Sequence, residues 1–470
     1  MKMRKRTKIV SWIAGIAAVV LLACGALFYV FFTKFYPSVP RADFPPAQNL
    51  TQAQQQDFDY FRYYLDYNKA YSRQARAQAA LMLAGYRGKA GMLSPAAFDL
   101  AIARMVALAD NGHSTIFMGP FSRQHNRLPC RLYKFSDGFF VVRARPACAG
   151  LLGAKIVSID GQPVEKIVDG MFQFSRGPRN HYDQFKAAFF LESPEVLHAA
   201  GFARASDRLT LHVRAADGSE RDETIVAEKP DAAAPRVYSD SYLSPARIDG
   251  EKDGWKALLP RDAKLPLFLR DYTNPFQTVW WADRKTLYVQ FRSNSDEPGH
   301  PIGDFVDRVR SEIAGYRPKT IVLDLRLDQG GNLLTTAGLM KHIADDVQHV
   351  YVLTSGWTFS AGIVSLALAK AHGGDKVRIV GEPVGDRIRF WGEGNDMVLP
   401  NSKLDIGFAT GLHDYSKSCF GEPGCFWVMY YYPVRLTSFA PDVAVPYTFA
   451  AYAALRDPAL ERVLNTMPKD

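Results

Sequence analysis

A run of 24 residues, Ile9 to Phe32, is uncharged and apolar apart from Ser11 and small side chains. As a helix rising 1.5 Å per residue it would extend about 36 Å, more than the ~30 Å hydrocarbon core of a bilayer. Lys2, Arg4, Lys5, Arg6 and Lys8 precede it and Lys34 follows closely. That asymmetry predicts a cytoplasmic N-terminus, with everything after Tyr36 on the periplasmic or extracellular side. Those six residues account for most of the formal charge of +9, so the rest of the chain has no basic footprint and no nucleic-acid partner is expected.

The run is longer than the 7–15 residues usual for the apolar part of a cleaved signal peptide. Leu21-Leu22-Ala23-Cys24 resembles a lipobox, which would place a lipid on Cys24, but the apolar character continues past it to Phe32. An uncleaved single-pass anchor, 9–32, in a bacterial inner membrane is therefore expected, behind a basic segment 1–8. Beyond it, 470 residues that are 47% hydrophobic and 22% charged suit a globular chain of about three domains. Four cysteines lie outside the anchor. Their simplest pairing is Cys130–Cys148 and Cys419–Cys425, with four buried thiols as the alternative. No cysteine or histidine spacing suggests a metal, and no cofactor is expected.

Pro37, Pro40, Pro45 and Pro46 read as a short stiff spacer. A helical region follows, 37–126. Phe58, Phe61, Tyr64 and Leu65 mark one helix face, and Ser94-Pro95 starts a helix that Asn111-Gly112 is expected to end, just before His113. From 127 to 230 the pattern changes to short alternating strands: Phe139–Val142, Gly153–Gly161 with an Asp-Gly turn, and a hairpin Leu209–Val226. This stretch resembles a PDZ-type module with an insertion from Phe172 to Gly201. Peptide capture by strand addition and simple packing of a small β-domain both fit it. From 268 to 470 strands alternate with helices, as in an α/β layer: Thr286–Phe291, Thr320–Leu325, Val350–Thr354 and Val377–Gly381 are strands, with helices at Leu333–Ala344 and Ala361–His372.

Ser360 stands where a buried strand gives way to an apolar helix. Its hydroxyl would sit at a sharp transition, close to the unpaired N–H groups of the first helical turn. A serine there also suits plain helix capping. Gly330-Gly331, after another buried strand, permit close backbone approach, although a tight turn explains them equally.

Several short motifs in order resemble the C-terminal processing peptidases, the serine-peptidase family that includes tail-specific and tricorn-core proteases. They are Asp110-Asn-Gly-His113-Ser114, the PDZ-like strand from Gly153, Asp324-Leu-Arg326 with Gly330-Gly331, Thr358-Phe-Ser360-Ala361-Gly362, Gly381-Glu382-Pro-Val-Gly385, Leu399-Pro-Asn-Ser402 and Pro441-Asp442. The resemblance implies a crotonase-like ββα core, Ser360 as nucleophile, and an oxyanion hole of the Gly331 and Ala361 amides. Tail-specific members use a lysine base after the strand that follows the nucleophile helix, but Gly381 to Arg387 contains none, and guanidinium does not release its proton. The tricorn-core type uses a histidine ahead of the PDZ-like part, where His113 lies. Its orienting glutamate has no counterpart before Pro441, leaving Glu393, Glu382 and Asp414 as candidate acids and Ser114 as a candidate relay. The expected protein is a membrane-anchored endopeptidase acting on polypeptides. The alternative is an inactive peptidase-like scaffold that binds peptides in the cell envelope.

Overall fold

A computed structural model describes residues 2–235, 237–417 and 419–466 and, for residues 2–11, the helical backbone alone. The side chains of the basic segment 1–8 therefore lie outside the described residues. The C-terminal half is organised by a six-stranded sheet. Thr286–Phe291, Thr320–Asp324, His349–Thr354 and Val377–Gly381 run parallel, with Val443–Ala444 parallel on one edge and Phe276–Trp281 antiparallel on the other. Ile321, Val322 and Leu323, like Val350, Val352 and Leu353, have no or almost no exposed surface, which is why these strands read as unbroken apolar runs covered on both faces. The register pairs Asp324 with Leu353 and Thr354 with Gly381. The loops leaving these three strands thus emerge side by side at the carboxyl edge, the usual place for a site in a parallel sheet.

An antiparallel sheet of Cys130–Phe135, Gly138–Ala144, Lys155–Ile159, Arg208–Arg214 and Glu220–Val226 forms a second layer. Asp160 and Gly161, both at positive φ, make the expected turn after Lys155–Ile159. The residues between that strand and Arg208 fold as short helices, among them Arg179–Phe185 and Ala187–Leu191.

The helices Leu50–Tyr67, Arg73–Arg87 and Pro95–Ala107 bury the expected stripe of Phe58, Phe61, Tyr64 and Leu65, and the Ser94 hydroxyl accepts the Ala97 N–H. Two expectations need correction. The last of these helices ends at Ala107, and Asp110 takes the left-handed conformation (φ 47°) rather than Asn111-Gly112. Asn111 instead pairs with the backbone of Trp391 through both its amide nitrogen and its oxygen. The proline-rich segment, expected as a stiff spacer, lies against the body: Pro40 and Pro45 carbonyls accept hydrogen bonds from Tyr60 and Gln56 along the first of those helices.

The N-terminal helix Lys2–Phe35 includes a 24-residue stretch, Trp12–Phe35, whose most apolar 18-residue window has a mean hydropathy of 2.5. It is exposed along most of its length, but Phe35 at its end is fully buried against the body. Cys419 and Cys425 form a disulfide. The other expected bridge is absent: Cys130 and Cys148 are free, buried thiols that share a hydrogen bond, which pushes the Cys130 thiol up and the Cys148 thiol down.

Candidate active site

The turn that carries Ser360 is built by hydrogen bonds to its neighbouring strand end. Ser355 Oγ donates to the Arg326 carbonyl (2.6 Å), Thr358 Oγ1 to the Leu325 carbonyl (2.7 Å), and the Phe359 amide to the Asp328 carbonyl (2.9 Å). Ser360 then opens the helix Ala361–Gly373 at φ 50°, ψ −121°, with no side-chain capping bond. A capping serine adopts extended backbone and spends its hydroxyl on the helix amides; Ser360 does neither. Its backbone lies in a region unfavourable for any residue with a Cβ, a strain of about 1–3 kcal/mol that persists only where the surroundings impose it.

Gly330 imposes part of it. A Cβ at Gly330 would lie 2.6 Å from Ser360 Cβ and 2.8 Å from the Ala361 nitrogen, so only glycine, here at φ 98°, lets the two turns touch. The Gly330 amide is committed to Asp328 Oδ1 (2.9 Å). Among the described residues, the Gly331 and Ala361 amides have no hydrogen-bond acceptor. Below them Asp328 is fully buried, with Oδ2 unpartnered, and burial pushes its pKa up to about 8 despite the Gly330 N–H. Arg326, between Asp324 and Asp457 and over the Phe268 ring, is a buried brace for this strand end.

His113 reaches the same edge through a column of rings. The planes stack in the order His413, Phe390, His113, Phe359, His181 and Phe185, with centroid spacings of 5.0, 5.5, 4.3, 4.2 and 4.8 Å. Phe359 is the residue before Ser360, so His113 lies one ring away from the Ser360 turn. Both imidazole nitrogens are buried without a hydrogen-bond partner, and Ser360 is accordingly not in hydrogen-bond contact with them. The nearest carboxylate is Asp386, whose Oδ2 is 3.6 Å from His113 Nδ1. Asp386 is buried, accepts the Arg387 amide through Oδ1 (2.8 Å), and leaves Oδ2 free to face the imidazole.

Asp386 was not among the candidate acids, and those that were lie elsewhere. Glu382 is half-buried and bonds the Tyr447 amide and Gln184, away from His113. Asp414 pairs with Arg389 and Ser416 at the base of the disulfide loop. Glu393 shares a cavity with His113 but is committed to His413 Nε2 (3.1 Å) and the Tyr36 hydroxyl. Burial works to raise the Glu393 pKa, yet the His413 and Tyr36 hydrogen bonds and the His413 charge hold it below the ordinary range. Ser114 bonds Asn68 and Asn111, not an imidazole.

The cavity itself, about 340 Å³, is walled by Ile116, Phe117, Met118, Phe185 and Phe408, with Gln329 and Phe359 on the side of the serine turn. Two polar groups in it come from the short helices after Lys155–Ile159. His181 is kept neutral, its pKa driven well down by burial and then by the Lys186 charge. Burial lowers Lys186 to about 8; its Nζ donates to Thr115 Oγ1 (2.7 Å). Among the described residues no cluster suited to a metal ion occurs.

No protein-family model matches this chain, and no curated protein matches its sequence. Solved structures do. A serine-to-alanine mutant of CPAF superposes with a TM-score of 0.57, at 12% identity, over 88% of this chain and 96% of that one. Mature CPAF gives 0.52 at 13% identity over 88% and 96%. Mature CPAF complexed with lactacystin gives 0.50 at 13% identity over 89% and 98%. The chain therefore has a mixed α/β fold structurally similar to S41-family peptidases, a likeness that runs through nearly the whole chain.

Proposed function

We propose that this protein is a serine endopeptidase, anchored by its N-terminal helix, that hydrolyses polypeptides on the periplasmic or extracellular side of a membrane. The observation that carries the reading is the backbone of Ser360: a strained helix-opening serine whose hydroxyl caps nothing, held against Gly330, with the Gly331 and Ala361 amides left unpaired among the described residues. Ser360 Oγ attacks the scissile carbonyl while its proton passes to His113. The oxyanion is received by the Gly331 and Ala361 N–H groups. As the C–N bond breaks, His113 gives the proton to the leaving amine, and water then releases the acyl group by the same route. Asp386 fixes the tautomer with the proton on Nδ1, leaving Nε2 as the base. His113 closes on the serine when substrate enters, since catalytic hydrogen bonds are often long in empty sites. The sheet from Cys130 to Val226 serves as a PDZ-like module that delivers extended chains.

One observation favours a second reading, the peptide-binding scaffold: neither nitrogen of His113 is engaged with Ser360. A fluorophosphonate separates the two. The peptidase reading expects covalent labelling that is lost in Ser360→Ala, together with hydrolysis of an unstructured protein lost in both Ser360→Ala and His113→Ala. A folded parent protein that neither labels nor cleaves supports the scaffold.

A further inference from the structure

The apolar helix does not simply hang from the body. Phe35 is buried, and its ring meets Phe426 at 5.1 Å and Trp427 at 5.7 Å; Phe31 meets the same two rings at 5.7 and 5.9 Å. Lys34 Nζ lies 5.2 Å over the Trp427 ring. Those two partners follow directly on Cys425 of the Cys419–Cys425 disulfide, and the segment from that disulfide to Tyr431 turns further aromatics outward. Phe420 is 75% exposed and Tyr431 85% exposed, with the Tyr430 ring tilted against Phe420 at 4.9 Å.

Exposed aromatics of this size on a soluble face need a partner. Here the partner is indicated by continuity with the helix surface. A helix from Trp12 to Phe35 is about 36 Å long, so its last turn stands at the headgroup level of a bilayer that its first turn enters from the other side. Rings packed beside Phe31 and Phe35 share that depth, the level at which Trp and Tyr concentrate in membrane proteins. We infer that the segment 419–431, which the disulfide begins, docks into the lipid–water interface through Phe420, Trp427 and Tyr431 and clamps the body against the membrane. The inference rests on the anchored-peptidase reading and adds a substrate class to it. The Phe35 carbonyl accepts the Gly394 amide (3.0 Å) and the Thr410 hydroxyl (2.6 Å), and Tyr36 bonds Glu393. Glu393 and Gly394 line the His113 cavity. A clamped body therefore holds that cavity at the bilayer surface, where it meets polypeptide segments that emerge from, or are tethered to, the membrane.

The test uses the full chain in phosphatidylcholine–phosphatidylglycerol vesicles, in a Cys24→Ser background, with spin labels at Tyr431→Cys, Val20→Cys or Leu81→Cys. Accessibility to oxygen and to a nickel chelate reads depth. The expected result is oxygen-favoured exposure at 431, shallower than at 20, with nickel-favoured exposure at 81. A label at 431 that behaves like 81, while 20 reads as bilayer, overturns the docking inference and leaves the anchor intact. A label at 20 that reads as water overturns the anchor and the inference with it. The substrate class has its own arm: Phe420→Ser/Tyr431→Ser should lower cleavage of a vesicle-tethered polypeptide several-fold while leaving cleavage of the same polypeptide free in solution unchanged. Equal loss on both substrates counts against the clamp, and loss on neither overturns it.

Discussion

The turn that carries Ser360 is tied to the strand end beside it by hydrogen bonds from Ser355, Thr358 and Phe359, whereas the ring of His113 is stacked between Phe359 and Phe390 and, among the described residues, makes no hydrogen bond. Hydrogen bonds fix direction and distance, so the first half can hold a backbone conformation that costs free energy by itself. Stacking fixes a plane but leaves sliding and rotation within it cheap. The difference suits the division of labour in acyl transfer: the nucleophile and oxyanion donors must be placed before substrate arrives, while the base must swing between the serine and the leaving group.

The sharpest way to break this comparison is at the serine. Ser360→Ala should remove activity to the limit of detection, about a million-fold in kcat, with the fold unchanged by circular dichroism. Ser360→Gly should be equally dead yet more stable, raising the denaturation midpoint, because glycine relieves a φ of 50°. A glycine variant no more stable than the alanine one would mean the strain is not there. Next in size, Gly330→Ala drives a Cβ into Ser360 and Ala361 and should cost about a hundredfold or more in kcat, since displacements of an ångström matter at that level. Activity near that of the parent would show that the turn is looser than its contacts.

On the histidine side the effects should be smaller and graded. Asp386→Asn should lower kcat by about 10²–10⁴-fold with KM little changed, and Asp386→Glu should recover part of the loss. A purely structural Asp386 would instead lower the thermal midpoint and leave the rate of the folded fraction intact. Phe390→Leu, which frees one face of His113, should cost about tenfold in kcat, far less than Gly330→Ala; the reverse order would mean that stacking, not hydrogen bonding, sets the precision of the site.

The two halves also differ in how far they can be read from the chain. The parallel strands are legible because burial on both faces leaves an unbroken apolar run, as at Ile321–Leu323. The Ser360 turn follows from one of those strands meeting an apolar helix. That its hydroxyl does no capping is a matter of φ and ψ, which residue types do not reveal. Asp386 sits in the very segment that lacks a lysine, but an aspartate in a short loop carries no periodicity, and its approach to His113 arises only in the folded chain, where the Gly385 amide next to it donates to the Thr358 carbonyl. His181 and Lys186 were illegible for a related reason: one lies in a short helix and the other at its junction with the next, and so few residues set up no amphipathic pattern. Asn111-Gly112 misled because a favourable cap sequence was used to grip Trp391 instead.

The smallest effect concerns stability rather than rate, and it tests the cost of the hydrogen-bonded half. Asp328 keeps its proton up to about 8 when folded, while an unfolded aspartate releases it near 4. Between those values the folded state binds more protons than the unfolded one, so this group makes the protein less stable as pH rises from about 4 to about 8, and contributes no further slope above. Over pH 6 to 8 the loss is at most about 2.7 kcal/mol. Lys186 acts in another window: lowered to about 8 when folded, it adds stability as pH rises from there toward its unfolded value near 10.4. Asp328→Asn retains an acceptor for the Gly330 N–H but cannot titrate. Urea midpoints at pH 6 and 8 should therefore fall together less steeply in the variant than in the parent. The same slope in both would mean that Asp328 is ionised beneath Ser360 at neutral pH. The turn would then be organised around a buried negative charge, which would oppose the oxyanion that forms above it.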